Sequence, residues 1–133
     1  MNAQENLTRH FTRAELQCRH CGVLRMNPTF LANLEMLRVA FGKPMVITSG
    51  YRCEAHNAAV GEGKLVGAHT LGYAVDVAIF GEDVHKLIDM ALGLGLIGFG
   101  LKQHGPMAGR YVHLDAVPVG DNDIPRPRFW TYP

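Results

Sequence analysis

The stretch His69-Thr70-Leu71-Gly72-Tyr73-Ala74-Val75-Asp76-Val77-Ala78-Ile79-Phe80 decides the fold of this chain. From residue 73 onward its side chains alternate as on a strand. Ala74, Asp76 and Ala78 fall on one face, and Val75, Val77 and Ile79 on the other. A carboxylate set among Ala, Val and Ile has to be paired or bound to a cation, because an isolated buried charge is strongly unfavourable. His69 stands seven positions earlier, and Gly72 permits a tight backbone between the two. A second segment, Tyr111-Val112-His113-Leu114-Asp115, also reads as a strand and puts His113 and Asp115 on one face. Adjacent strands can present Asp76 and His113 to one point, with His69 swinging in from its loop. Two imidazoles and a carboxylate that leave a fourth position open are the donor set of a catalytic zinc (Zn2+) centre.

Around these strands the punctuation is clear. Asn27 and Pro28 precede Phe30, Leu31, Leu34, Leu37 and Val39 at helical spacing, with Asn27 as the cap and Pro28 as the first helical residue. That helix ends near Gly42-Lys43-Pro44. Residues 45–48 read as a short buried strand closed by Ser49-Gly50, and Glu54–Val60 as a short helix ending at Gly61. A glycine-containing loop follows over 61–68. Residues 81–94 read as a second long helix with Val84, Leu87, Ile88 and Ala91 inward, and 95–101 and 111–117 as two further strands. The tail from Pro118 is rich in Pro and Asp, with Phe129-Trp130 as an apolar packing anchor. Several strand connections are too short for a helical crossover, so antiparallel pairing is expected. The predicted class is α+β: one domain over 1–133, with a small central, mainly antiparallel sheet and helices packed on one face.

Composition excludes several roles. Of 133 residues 47% are hydrophobic and 19% charged, and the net charge is +1. That balance has no electrostatic footprint for nucleic acid or an anionic membrane surface, and no apolar run reaches the roughly 18 residues of a membrane span. Residues 1–13 are polar and lack the apolar core of a signal peptide, so the chain as encoded is expected in the cytoplasm, as a monomer. Three cysteines argue against a secreted disulfide framework. Cys18 and Cys21 form a CxxC around His20. With Cys53 as a distant third ligand they suit a second metal site; otherwise they are reduced thiols behaving as small apolar residues. A CxxC redox role is disfavoured, because no strong strand precedes the pair.

Read in order, Ser49-Gly50-Tyr51-Arg52, Asn57 and Gly61, the HxxGxAxD of His69 to Asp76, Gly98-Phe99-Gly100 and Val112-His113-Leu114-Asp115 make a linked set. The set resembles the M15 family of zinc D-alanyl-D-alanine peptidases. It looks most like the small branch found in phage and prophage genes and in murein endopeptidases. The resemblance spans about residues 11–130 and implies the small α+β fold shared with hedgehog signalling domains. It implies zinc held by His69, Asp76 and His113, and an arginine at Arg52 that contacts substrate and stabilises developing negative charge. The implied activity is hydrolysis of peptide bonds in bacterial cell-wall peptidoglycan, as a D-alanyl carboxypeptidase or an endopeptidase, with access to the wall after release or as part of a phage particle.

Two positions depart from the family pattern. Gly67 stands where a serine is common, and Arg110 where some branches carry an acidic general base. Arginine stays protonated and cannot serve as that base. Asp115 is the nearest candidate, with His104, Glu62 and His56 behind it. Asp115 has a second reading, as the partner that holds the ring N–H of a ligand histidine. Arg110 also favours a competing function class, a non-catalytic zinc-containing module that binds cell wall or sits in a phage structure.

Overall fold

Asn27 caps its helix as expected. Its side-chain oxygen accepts a hydrogen bond from the Phe30 N–H at 3.0 Å, and Gly42, in the left-handed conformation at φ 74°, ends the helix α2 (Pro28–Phe41). The computed structural model describes residues 5–61 and 63–133, so the polar reading of residues 1–4 and the candidate Glu62 lie outside the described residues. Ahead of α2 lies a one-turn helix α1 (Arg13–Leu16), closed by a reciprocal capping box between Thr12 and Glu15. The remaining helices are α3 (Glu54–Val60) and α4 (Glu82–Gly93). Five strands, β1 (Val46–Ser49), β2 (Ala74–Ala78), β3 (Gly98–Lys102), β4 (Tyr111–Asp115) and β5 (Arg128–Thr131), form one sheet in the order β1-β2-β4-β3-β5. Every pairing is antiparallel except β3 with β5. The α+β class expected from the sequence is the class observed.

Most strand ends shift by one or two residues from the sequence reading, with β4 ending at Asp115 rather than at 117, and two differences are larger. Residues 95–97 are not strand: the Gly95 and Leu96 N–H groups return to the Leu92 and Ala91 carbonyls at the end of α4, and extended pairing starts at Gly98. The tail, expected as irregular chain with an apolar anchor, forms the edge strand β5. The Arg128 N–H donates to the Ile97 carbonyl at 2.9 Å, and the Phe129 ring stacks on Phe99 at 4.9 Å.

The two faces of the sheet differ in kind. On one, Val75, Val77, Phe99, Val112 and Leu114 pack against Leu16 of α1, Phe30, Leu34 and Leu37 of α2, and Val84, Leu87 and Ala91 of α4. Each large side chain buried there contributes about 1.5–3 kcal/mol, and this core holds the sheet rigid. On the other face the register aligns Ser49, Asp76, His113, Gly100 and Trp130 across all five strands. The next row aligns Ala74, Asp115, Gly98 and Arg128. Directly opposed residues share a face and touch, so register alone brings the polar groups together. The two glycines make room for them. A Cβ on Gly98 would overlap the Asp115 carboxylate, and one on Gly100 would stand 2.6 Å from the Trp130 ring.

Candidate metal centre

Asp76 and His113 face each other across the β2–β4 ladder, and His69 enters from the turn ahead of β2. All three are buried, at 6%, 4% and 5% exposure. Their approaching atoms are Asp76 Oδ1, His113 Nδ1 at 3.1 Å from it, and His69 Nε2 at 3.3 Å from it. The three residues form a cluster with metal-ligating geometry. Tetrahedral ligands about 2.0 Å from a zinc ion stand about 3.3 Å apart, which matches the two observed separations.

The chemistry of the donors supports the same fit. The other nitrogen of His69, Nδ1, lies 2.8 Å from the Gly50 carbonyl oxygen, which can only accept. Nδ1 therefore carries the proton, and Nε2 of the neutral ring turns a lone pair toward the Asp76 carboxylate. His113 repeats the arrangement: Nε2 lies 2.6 Å from Asp115 Oδ2, which leaves Nδ1 toward Asp76. Three electron-pair donors thus converge in a buried place, which is favourable only with a cation or a proton between them. Burial pushes the His69 imidazole toward its neutral form, against the pull of Asp76. Burial opposes charge on His113 as well, but there the hydrogen bonds to Asp115 and Asp76 prevail and raise its pKa. Burial would raise Asp76, yet the two imidazoles hold its carboxyl far below the usual carboxylate range.

Arg52 sits against the free side of Asp76. Its Nη2 lies 3.2 Å from Asp76 Oδ2, its Nε donates to Ser49 Oγ at 3.0 Å, and its Nη1 donates to Asn57 Oδ1 at 3.4 Å. Ser49, Arg52 and Asn57, scattered in sequence, are one hydrogen-bonded unit beside the metal donors. The Gly67 departure is also accounted for locally. The Thr70 hydroxyl accepts from the Gly67 N–H and donates to the Gly67 carbonyl, both at 2.9 Å, so the turn into His69 is closed without a serine at 67.

Asp115 lies behind the His113 ring, at 0% exposure. Besides His113 it accepts from Arg126 Nε at 2.8 Å, from Arg126 Nη2 and from the Val117 N–H at 3.2 Å. Burial would raise its pKa, but these partners bring it down to about 2. Of its two roles considered from sequence, this placement matches the one that holds a ligand-histidine N–H. Arg126 carried no sequence signal; only the fold brings residue 126 to residue 115. Trp130, expected as a tail anchor, packs its ring 5.0 Å from His113, with the guanidinium carbons of Arg126 and Arg128 5.0 and 5.2 Å from its centre.

The centre opens into a cleft of about 590 Å³, a size suited to a small-molecule or peptide ligand. Its walls include Arg52, Lys64, Arg128, Tyr111, Tyr132 and Asp123. Among the described residues, the other two base candidates do not line this cleft. His104 Nε2 pairs with the Pro133 carbonyl, and the His56 ring stacks on His20. Arg110 is turned away, its Nε donating to the Gly105 carbonyl.

The family model described as Peptidase M15 matches residues 9–115 of the chain. No curated protein and no solved structure matches it.

Proposed function

The chain belongs to the peptidase M15 family, and we propose that it is a zinc metallopeptidase cutting peptide bonds of bacterial cell-wall peptidoglycan, as a D-alanyl carboxypeptidase or endopeptidase. The observation that carries this reading is the convergence of His69 Nε2, Asp76 Oδ1 and His113 Nδ1 at the foot of a cleft, with the far nitrogen of each ring already committed. Zinc at these atoms would lower the pKa of a water and polarise a scissile carbonyl.

The chain's own residues supply the rest. Arg52 uses three of its five N–H donors on Ser49, Asn57 and Asp76. The other two remain for developing negative charge on the substrate. Lys64 and Arg128 give the cleft wall positive charge that suits the carboxylates of peptidoglycan stem peptides. Asp115 holds the His113 ring in the orientation that turns Nδ1 to the centre, which makes it a positioning residue. Proton transfer then falls to Asp123, the carboxylate other than Asp76 among the described residues of the cleft wall.

The non-catalytic alternative has one observation on its side: neither Asp115 nor Arg110 offers a free carboxylate beside the metal donors. Digestion of purified peptidoglycan separates the two readings. Release of new muropeptides that stops with chelator and returns with zinc, and that is absent in His69→Ala, is the expected result. A folded, zinc-loaded protein that releases none overturns the enzyme reading in favour of the wall-binding or phage structural module.

A further inference from the structure

A second cluster lies at the N-terminal end of α3. The Sγ atoms of Cys18, Cys21 and Cys53 all lie within 4.8 Å of one another, and none of the three forms a disulfide. Thirty-two positions of chain separate Cys21 from Cys53, so the fold itself assembles the group.

The local backbone is shaped around the sulfurs. Cys18 to Val23 make a closed turn: the Cys18 N–H donates to the Val23 carbonyl at 2.8 Å and the Gly22 N–H to the Cys18 carbonyl at 2.9 Å. Gly22, at φ 75°, takes the left-handed conformation that turns the chain directly after Cys21. The Cys53 N–H points at Cys18 Sγ at 3.4 Å, and the His56 N–H at Cys53 Sγ at 3.5 Å. Backbone donors aimed at sulfur favour the thiolate, the form that binds metal. The exposed His20, inside the CxxC, places Nδ1 3.5 Å from Cys53 Sγ. Around a zinc ion with Zn–S of about 2.3 Å and Zn–N of about 2.0 Å, neighbouring sulfurs stand about 3.8 Å apart and a sulfur and nitrogen about 3.5 Å. Three sulfurs cannot all pair in disulfides within one chain, whereas three thiolates and an imidazole complete a closed tetrahedral site.

We propose that Cys18, Cys21 and Cys53 hold a second, structural zinc ion, separate from the His69–Asp76–His113 centre, with the exposed His20 beside Cys53 turning in as the fourth ligand. The ion would pin the turn over 18–23 to the N-cap of α3, and so fix the segment whose preceding residue is Arg52. The inference does not depend on the peptidase reading.

The test is metal content and spectroscopy of the full chain, purified under reducing conditions with zinc. Two zinc ions per chain are expected in the wild type, one in Cys18→Ser/Cys21→Ser and one in His69→Ala/His113→Ala. Cobalt substitution identifies the donors. His69→Ala/His113→Ala loaded with cobalt should show an intense near-ultraviolet thiolate-to-metal charge-transfer band, which imidazole and carboxylate donors cannot give. Where the cysteine variant fails to fold, titrating the wild type with a mercurial thiol reagent gives the same information: one zinc should be released as three thiols react. His20→Ala should lose this zinc more readily to a chelator. Equal retention would remove His20 from the site. Cobalt-loaded protein without the band, thiols that react with no zinc release, or a Cys18–Cys21 disulfide in the reduced protein would overturn the proposal.

Discussion

Replacing Asp115 with Ala tests the support of the metal centre directly. In the metal-free protein the substitution leaves the Arg126 side chain, 5% exposed, without its counter-charge. It also strips the His113 Nε2 and the Val117 N–H of their acceptor. Removing one partner of a buried ion pair costs about 3–5 kcal/mol. A second route to the magnitude starts from the carboxyl itself. Its pKa falls from 3.8 to about 2, which at about 1.4 kcal/mol per unit is roughly 2–3 kcal/mol of stability at neutral pH. Both routes point to about 3 kcal/mol, or a drop of about 10 °C in Tm for a chain of this length. The assay is urea unfolding at pH 7 with chelator, on the wild type, Asp115→Ala, Arg126→Met and the double variant. The double variant should be less destabilised than the sum of the singles by about 2 kcal/mol, because it leaves no orphaned charge. Asp115→Asn should weaken zinc binding about 10–100-fold, with activity recovering at high zinc. A loss below about 1 kcal/mol in Asp115→Ala with additive singles, or an Asp115→Asn enzyme that binds zinc normally yet stays inactive, would refute the positioning role.

Three other outcomes follow. Asp115 has a depressed pKa, so the stability it contributes is present above its ordinary value of 3.8 and is lost as pH falls toward about 2; metal-free wild type should lose stability steeply across that window and Asp115→Ala much less, and parallel acid-unfolding profiles would contradict this. Gly98→Ala puts a Cβ onto the Asp115 carboxylate, so it should destabilise by about 1–3 kcal/mol and weaken zinc binding in a competition assay; wild-type values in both would show that the carboxylate does not need that space. Asp123→Asn should lower kcat on muropeptides about 100-fold or more with zinc content unchanged, and an unchanged kcat would remove Asp123 from proton transfer.

Much of this architecture was legible because it rests on local rules. The Asn27-Pro28 start and Gly42 stop of α2 are capping chemistry, and α3 appears at the bounds its sequence predicts. The alternation around Asp76 placed Val75 and Val77 in the core and the carboxylate on the opposite face. The one-turn helix α1 went unread, because a single turn behind the Thr12–Glu15 capping box has almost no periodicity to show it. What the sequence could not show is what register and long-range closure decide. Arg126 meets Asp115 only because β5 returns beside β3, and Pro- and Asp-rich chain carries no strand pattern to announce that return. Gly98 and Gly100 stood out as a motif, but the reason, two side chains lying in the space of the missing Cβ atoms, exists only in the folded sheet.

The same register explains why Arg110 does not reach the metal donors. Successive residues of a strand point to opposite faces. Tyr111, His113 and Asp115 therefore share the face of the centre, while Val112 and Leu114 enter the core. Arg110 comes just before β4 with the opposite parity, and its guanidinium closes the 105–110 loop through the Gly105 carbonyl. It adds no positive charge beside the metal donors. Tyr111, not residue 110, takes the place on the cleft wall at this end of the strand. The cost of that arrangement is a centre with no acid on its own strand that is free to move a proton, since Asp115 is locked between His113 and Arg126. On the proposed peptidase reading, proton transfer falls to the cleft-wall loop that carries Asn122 and Asp123. Both residues hold positive φ, 50° and 54°, the left-handed conformation that Asn and Asp adopt more readily than other non-glycine residues.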